Sequence, residues 1–188
     1  MKVFLDLDGV LVDFVGGVHN ALGLPYRYDE YPYEKGKWNM LGDVGGKFWD
    51  GKFPFSVVNG LCSQEFWSNL AWMHDGWRLL HGRAGIMSKF DDITILTAPM
   101  PNPGSWTGKY LWVEKNMPAK FLKNIIMSVV PKSLLAGPDT LLIDDKDENI
   151  AEFVAAGGCG ILVPRPWNEL HGWADEALQV VKNSLEEL

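Results

Sequence analysis

The chain has 188 residues, 47% hydrophobic and 22% charged, the balance of one globular domain with at most a modest insertion, not of a disordered or fibrous chain. Seventeen Lys and Arg against 24 Asp and Glu give a net charge of −7. That excludes a nucleic-acid polymer gripped through many phosphates, but not one small phosphate held by a metal and a lysine or two.

In chain order, Lys2–Leu7 predicts a strand that runs into acids and then Gly9. Asp92–Leu96 predicts a second strand, stopped by Thr97, Ala98 and Pro99. Ile125–Val129 is a third. Leu141–Ile143 is a fourth and ends in Asp144 and Asp145. Ile161–Val163 is a fifth, stopped by Pro164. Short, continuous apolar runs suit strands buried on both faces of a parallel sheet. Helices are predicted from an Asp75 cap through Lys89, weakened by Gly82 and Gly85, over Trp106–Asn116, over Asp147–Ala156 and over Trp173–Leu185. Gly157-Gly-Cys-Gly160 is not a GxGxxG loop and reads as a helix end turning into the fifth strand. The alternation implies an α/β fold with a doubly wound parallel sheet. The link from Pro131 to Thr140 is short for a helical crossover.

Residues 16–74 do not share this alternation. Thirteen of the 23 aromatic residues lie between Tyr26 and Trp77, and structureless loops of that length are uncommon. The expected organisation is a catalytic core of residues 1–15 and 75–188 with a small, mainly helical cap, 16–74, inserted after the first strand.

Ligands of open parallel sheets sit beyond the carboxyl ends of the strands. There the chain offers Asp6 and Asp8, two residues apart and so on one side of an extended strand, and Asp144 with Asp145. Converging carboxylates repel unless a cation neutralises them, and an all-oxygen set suits Mg²⁺. Thr97 offers a hydroxyl to a phosphate, Ala98 a backbone N–H and Lys132 a fixed positive charge. A carboxylate nucleophile, a carboxylate acid/base, a metal and a lysine describe phosphoryl transfer through an aspartyl-phosphate. Lys109 competes with Lys132 for the phosphate, but on a helix with Trp112 and Glu114 an exposed structural lysine is its preferred reading; Lys146 reads as a surface charge or a phosphate contact.

These segments resemble a known superfamily. Phe4-Leu-Asp-Leu-Asp-Gly-Val-Leu-Val-Asp-Phe14, Thr97-Ala-Pro, Lys132 and Leu141-Leu-Ile-Asp-Asp-Lys-Asp147 resemble the four signatures of the haloacid-dehalogenase-like phosphohydrolases. Glu65-Phe-Trp-Ser-Asn-Leu70 and Lys109-Tyr-Leu-Trp-Val-Glu114 bring the resemblance closer to the 5′(3′)-deoxyribonucleotidases, over most of residues 1–150. The resemblance implies that Asp6 attacks phosphorus and that Asp8 protonates the leaving oxygen and then activates water. It implies Mg²⁺ on the Asp6 carboxylate, the Asp8 carbonyl and one of Asp144 and Asp145, with Asp145 the first choice. Thr97, Ala98 and Lys132 would bind the phosphoryl group and Phe14 the nucleoside. The Gly36–Phe55 stretch departs from the family pattern, so base contacts are not carried over; Trp38 and Trp67 are the candidates for them, with a core role the alternative for either tryptophan.

The expected partner is a small nucleoside monophosphate; a sugar phosphate is the alternative substrate. A receiver-like signalling domain shares the acids, Thr, Lys and Mg²⁺, but there the acid pair precedes the other signatures. A catalytically silent binding protein does not call for both Asp6 and Asp8. No apolar run approaches ~20 residues, so no membrane partner is expected, and Asp6, Asp8 and Asp13 break the apolar run a signal peptide would need. Two distant cysteines, Cys62 and Cys159, fit a reducing, cytoplasmic setting. The four histidines show no zinc-ligand spacing. A homodimer is compatible with the sequence.

Overall fold

The computed structural model describes residues 1–38, 55–83 and 85–188. Its centre is a five-stranded parallel sheet in the order β3-β2-β1-β4-β5. The strands are β1 (Lys2–Leu5), β2 (Ile93–Thr97), β3 (Ile125–Met127), β4 (Thr140–Asp144) and β5 (Cys159–Leu162). All five expected strands form, with ends moved by one to two residues. Alternation along them sends side chains to both faces. One face buries Val3, Leu5, Ile93, Ile95, Leu141 and Ile143. The other buries Phe4, Leu96 and Leu142 with Phe153.

The helices that cover these faces are α6 (Pro103–Asn116), α7 (Asp147–Ala155) and α8 (Ala177–Glu186). Trp112 and Val113 of α6 and Val181 and Leu185 of α8 join the larger cluster. Phe153 of α7 closes the smaller one edge-on to Phe4, with ring centroids 6.2 Å apart. Helix α7 ends where Gly157 takes φ 93°, a conformation that L side chains resist. The last predicted helix is part 3₁₀, over His171–Glu176, before α8 begins.

The link from β3 to β4 is short because it needs no full helix. It contains one 3₁₀ turn, Lys132–Leu135. Strands β3 and β4 are separated by β2 and β1, a gap of about 14 Å at about 4.8 Å per strand. Ten residues can reach about 33 Å.

Between β1 and β2 the described residues form α1 (Phe14–Ala21), α2 (Phe55–Leu61), α3 (Gln64–Ser68), α4 (Gly76–His81) and α5 (Ile86–Lys89). The single helix expected from Asp75 to Lys89 is therefore two. Gly82 (φ −57°, ψ 161°) leaves the helical region and ends α4, where glycine gives helix least support. Asp75 makes no capping hydrogen bond; its carboxylate has another partner, described below. Most of the Gly36–Phe55 stretch lies outside the described residues.

Candidate active site

Strands β1 and β4 pair in register, Leu5 beside Ile143, so the next residue on each is an acid, Asp6 and Asp144. Both are buried, as is Asp145. One carboxylate oxygen from each of the three lies within 4.8 Å of the others. Gly9 makes this convergence sterically possible. Its φ is 71°, and a Cβ there would stand 1.9 Å from Asp145 Oδ2. The turn it opens is closed by Gly9 N–H donating to Val12 O at 2.9 Å.

Lys132, expected near the phosphate, sits among the acids. Its Nζ is 2.6 Å from Asp6 Oδ1 and 2.6 Å from Asp144 Oδ2. Asp144 also accepts from the Lys146 N–H at 2.9 Å and the Asn149 amide at 3.0 Å. Asp145 accepts from Trp167 Nε1 at 2.7 Å. The charges do not balance. Burial lifts Asp6 to about 7; Lys132 opposes the rise, while Asp144 and Asp8 add to it. Burial, with Asp144 and Asp6, holds Asp145 well above the usual carboxylate range. Burial opposes the charge on Lys132, but Asp6 and Asp144 outweigh it and hold its pKa above the ordinary lysine value. A buried all-oxygen cluster whose carboxylates resist ionisation fits a small divalent cation such as Mg²⁺, which would supply the missing positive charge.

Strand β2 delivers the fully buried Thr97 next to this cluster. The sequence reading of Lys109 is overturned here. Lys109 is 1% exposed, not a surface lysine. Its Nζ donates to the Asp8 carboxylate, to Thr97 Oγ1 at 2.8 Å and to Ala98 O at 3.1 Å. The cause is the seating of α6. Asn102 caps the helix through the Gly104 N–H at 2.8 Å, and Pro103 occupies its first turn, where a missing N–H costs nothing. Gly108 then lets α6 close on α3, for a Cβ there would lie 2.4 Å from Trp67 Cβ. That contact turns Lys109, Trp112 and Val113, at i, i+3 and i+4, inward together. Lys146 pairs with Glu148 at 2.5 Å.

The aromatic candidates separate by exposure. Phe14 and Trp67 stack, centroids 4.9 Å apart and planes within 2°. Lys109 Nζ lies 4.7 Å from the Trp67 ring centroid. Trp67 is 2% exposed and Phe14 9%, so both rings of the stacked pair are buried, Trp67 the more deeply. Trp38 is 44% exposed, and the Lys146 ammonium, one residue beyond Asp145, lies 5.7 Å from its ring centroid.

Four residues at this end of the sheet escaped the sequence reading. Arg165 is fully buried and forms a two-armed ion pair with Asp75, at 2.8 and 2.9 Å. It also donates to Gly9 O at 2.5 Å. Trp167 holds Asp145 as described, and Asn168 donates to the Asp145 carbonyl at 2.8 Å. The signal was an arginine directly after Pro164 at a strand end, but its acid partner lies 90 residues away.

The chain is similar in sequence and fold to known proteins. Residues 1–182 match the family model described as 5′ nucleotidase, deoxy (pyrimidine), cytosolic type C protein. A 5′(3′)-deoxyribonucleotidase-like protein of Vibrio phage KVP40 is 30% identical over 78% of this chain and 67% of its own. The mitochondrial 5′(3′)-deoxyribonucleotidase of Mus musculus is 26% identical over 94% of this chain and 83% of its own. In fold, the chain is similar to a HAD family hydrolase of Deinococcus radiodurans R1, solved with bound phosphate and sodium. The TM-score is 0.51 at 17% identity, covering 94% of this chain and 87% of that one. A hydrolase of Pseudomonas syringae gives a TM-score of 0.54 at 15% identity, over 100% and 98% of the two chains.

Proposed function

Because this chain belongs to the 5′ nucleotidase, deoxy (pyrimidine), cytosolic type C family, and is thereby a 5′-nucleotidase-type phosphomonoesterase, we propose that it dephosphorylates deoxyribonucleoside monophosphates through an aspartyl-phosphate and depends on Mg²⁺. The observation that carries the reading is the cluster of Asp6, Asp144 and Asp145, with oxygens within 4.8 Å of one another. Lys132 bonds to it, and Asp8, Thr97 and Lys109 stand at its rim.

In this reading the Asp6 carboxylate, the Asp8 carbonyl and Asp145 would hold Mg²⁺. Asp144 is the weaker ligand because Lys132, the Lys146 N–H and Asn149 already occupy its oxygens. When bound, the ion offsets the carboxylate charge that would otherwise repel a phosphate. The Asp6 carboxylate attacks phosphorus. Asp8 gives a proton to the leaving alkoxide and afterwards takes one from the water that opens the phospho-enzyme, so each proton is returned within one turnover. Thr97 and the Ala98 N–H bind phosphoryl oxygens, Lys132 holds Asp6 in place against them, and Lys109 adds a second cation beside Asp8. Residues 16–74 serve as the cap. Phe14, backed by Trp67, faces the nucleoside, and Trp38 meets it from the cap side.

A phosphate-release screen over nucleoside and sugar monophosphates, with and without Mg²⁺, tests this. Thymidine or deoxyuridine monophosphate is expected to be preferred, with no release in excess chelator and none by a folded Asp6→Asn protein. A preference for sugar phosphates would overturn the nucleotide assignment. Full activity in chelator would overturn the metal.

A further inference from the structure

Beyond the acids themselves, the segment Arg165–Asn168 fastens both acid-bearing loops at once. Arg165 donates through Nε to Gly9 O at 2.5 Å and through Nη2 to Val10 O at 3.3 Å, carbonyls directly after Asp8. Its remaining arm and Nη2 take the two oxygens of Asp75. Two residues on, Trp167 donates to the Asp145 carboxylate, and Asn168 donates to the Asp145 and Val163 carbonyls, each at 2.8 Å. The insertion reaches the same segment. Gly36 N–H donates to Pro166 O at 2.9 Å, and the Tyr31 ring lies 5.8 Å from that of Trp167.

A fully buried Arg–Asp pair is a poor device for stability alone, since desolvation consumes most of what the charges return. What a guanidinium supplies, and an apolar side chain or an ammonium does not, is several donors in one rigid plane. Here those donors span an acid and the two carbonyls of the Gly9 turn, the turn that already passes against Asp145.

We infer that Arg165, oriented by Asp75, is a positioning residue: it fixes the Gly9–Val10 turn and thereby the placement of Asp8 and of the Mg²⁺ ligands. The inference rests on the phosphatase reading above. Groups that orient metal ligands from behind typically contribute about 10- to 100-fold in affinity or activity.

The test uses the full chain as wild type, Arg165→Lys and Asp75→Asn. Lysine keeps a cation for Asp75 but loses the fork; asparagine keeps the shape but loses the charge that orients it. Three quantities are read: Mg²⁺ affinity by calorimetry without substrate, kcat and KM on thymidine monophosphate, and the melting temperature. For Arg165→Lys, kcat is expected to fall about 10- to 100-fold, with KM unchanged and Mg²⁺ affinity weakened. Asp75→Asn should show the same pattern with smaller losses. A folded Arg165→Lys protein with wild-type kcat and Mg²⁺ affinity overturns the inference. So does a kcat loss that only tracks the unfolded fraction, or failure of both variants to fold, since either makes the pair a stability element. Wild-type protein that binds Mg²⁺ yet releases no phosphate would overturn the phosphatase reading instead, and the clamp would then stand or fall on Mg²⁺ affinity.

Discussion

Lys109 and Asp8, 101 residues apart in sequence, are joined by a direct bond between ammonium and carboxylate. The lysine is buried, while the Asp8 side chain keeps 24% of its surface. The pair therefore presents its acid to the site and keeps its cation behind it.

Lys109→Met should test that arrangement. It removes a cation that touches Asp8, Thr97 and Ala98 while keeping most of the side-chain volume. Loss of one preorganised donor costs about 10²–10³ in kcat, and a loss of that order is expected by steady-state kinetics, with Mg²⁺ affinity little altered. Wild-type turnover would return Lys109 to a packing role.

Gly9→Ala should be far more damaging than its one added methyl suggests. The new Cβ would need φ 71° and would overlap Asp145 Oδ2 at 1.9 Å. A single left-handed alanine costs about 1–2 kcal/mol in backbone strain, and the displaced carboxylate is the one proposed to hold the metal. Calorimetry should show Mg²⁺ affinity lost before the fold is lost. Retained affinity would place the metal away from Asp145.

Metal binding should release protons. Asp6 is lifted to about 7 by burial, and Asp145 stands well above its usual range for the same first reason. Near neutrality the metal-free Asp6 is thus partly protonated, and Mg²⁺ must displace that proton. Apparent affinity should rise as pH is raised through about 7, and calorimetry in buffers of different ionisation enthalpy should detect the released protons. A pH-independent affinity across that window would contradict a protonated Asp6.

The two tryptophans should part company. Trp38→Ala, at an exposed position, is expected to lower kcat/KM for thymidine monophosphate by roughly 5- to 150-fold, the equivalent of ~1–3 kcal/mol of base stacking. It should spare p-nitrophenyl phosphate and the melting temperature. Trp67→Ala empties a buried site against Phe14 and should cost ~3–5 kcal/mol of stability, with parallel losses on both substrates. The reverse pattern would exchange their roles.

What the sequence discloses of this site is what is local. Asp6, Asp8, Thr97, Asp144 and Asp145 follow apolar runs directly, and a parallel sheet brings such strand ends together without further information. Lys109 was misread because its role depends on how α6 rotates, and that rotation is set by Gly108 against Trp67, a contact between two elements. Arg165 and Asp75 were missed because a buried ion pair is a property of two distant positions. Asp75 alone has the look of a helix cap, and Arg165 alone that of a surface cation. The break at Gly82 was visible as a weakness in the helix but not as its end.

The position of β1 in the sheet bears on how the chain reaches its native state. The strand that ends in Asp6, the proposed nucleophile, is central, paired with β2 on one side and β4 on the other. Its partners at Ile93 and Thr140 are made long after it during synthesis. An emerging chain therefore holds a strongly apolar segment, Val3-Phe-Leu, with one edge unpaired until Ile93 has been made and the other until Thr140. Contacts of such sequence separation are slow to close, and an unpaired apolar strand is an aggregation risk while it waits. The acids of Asp6 and Asp8 at its end keep charge on that segment through the interval.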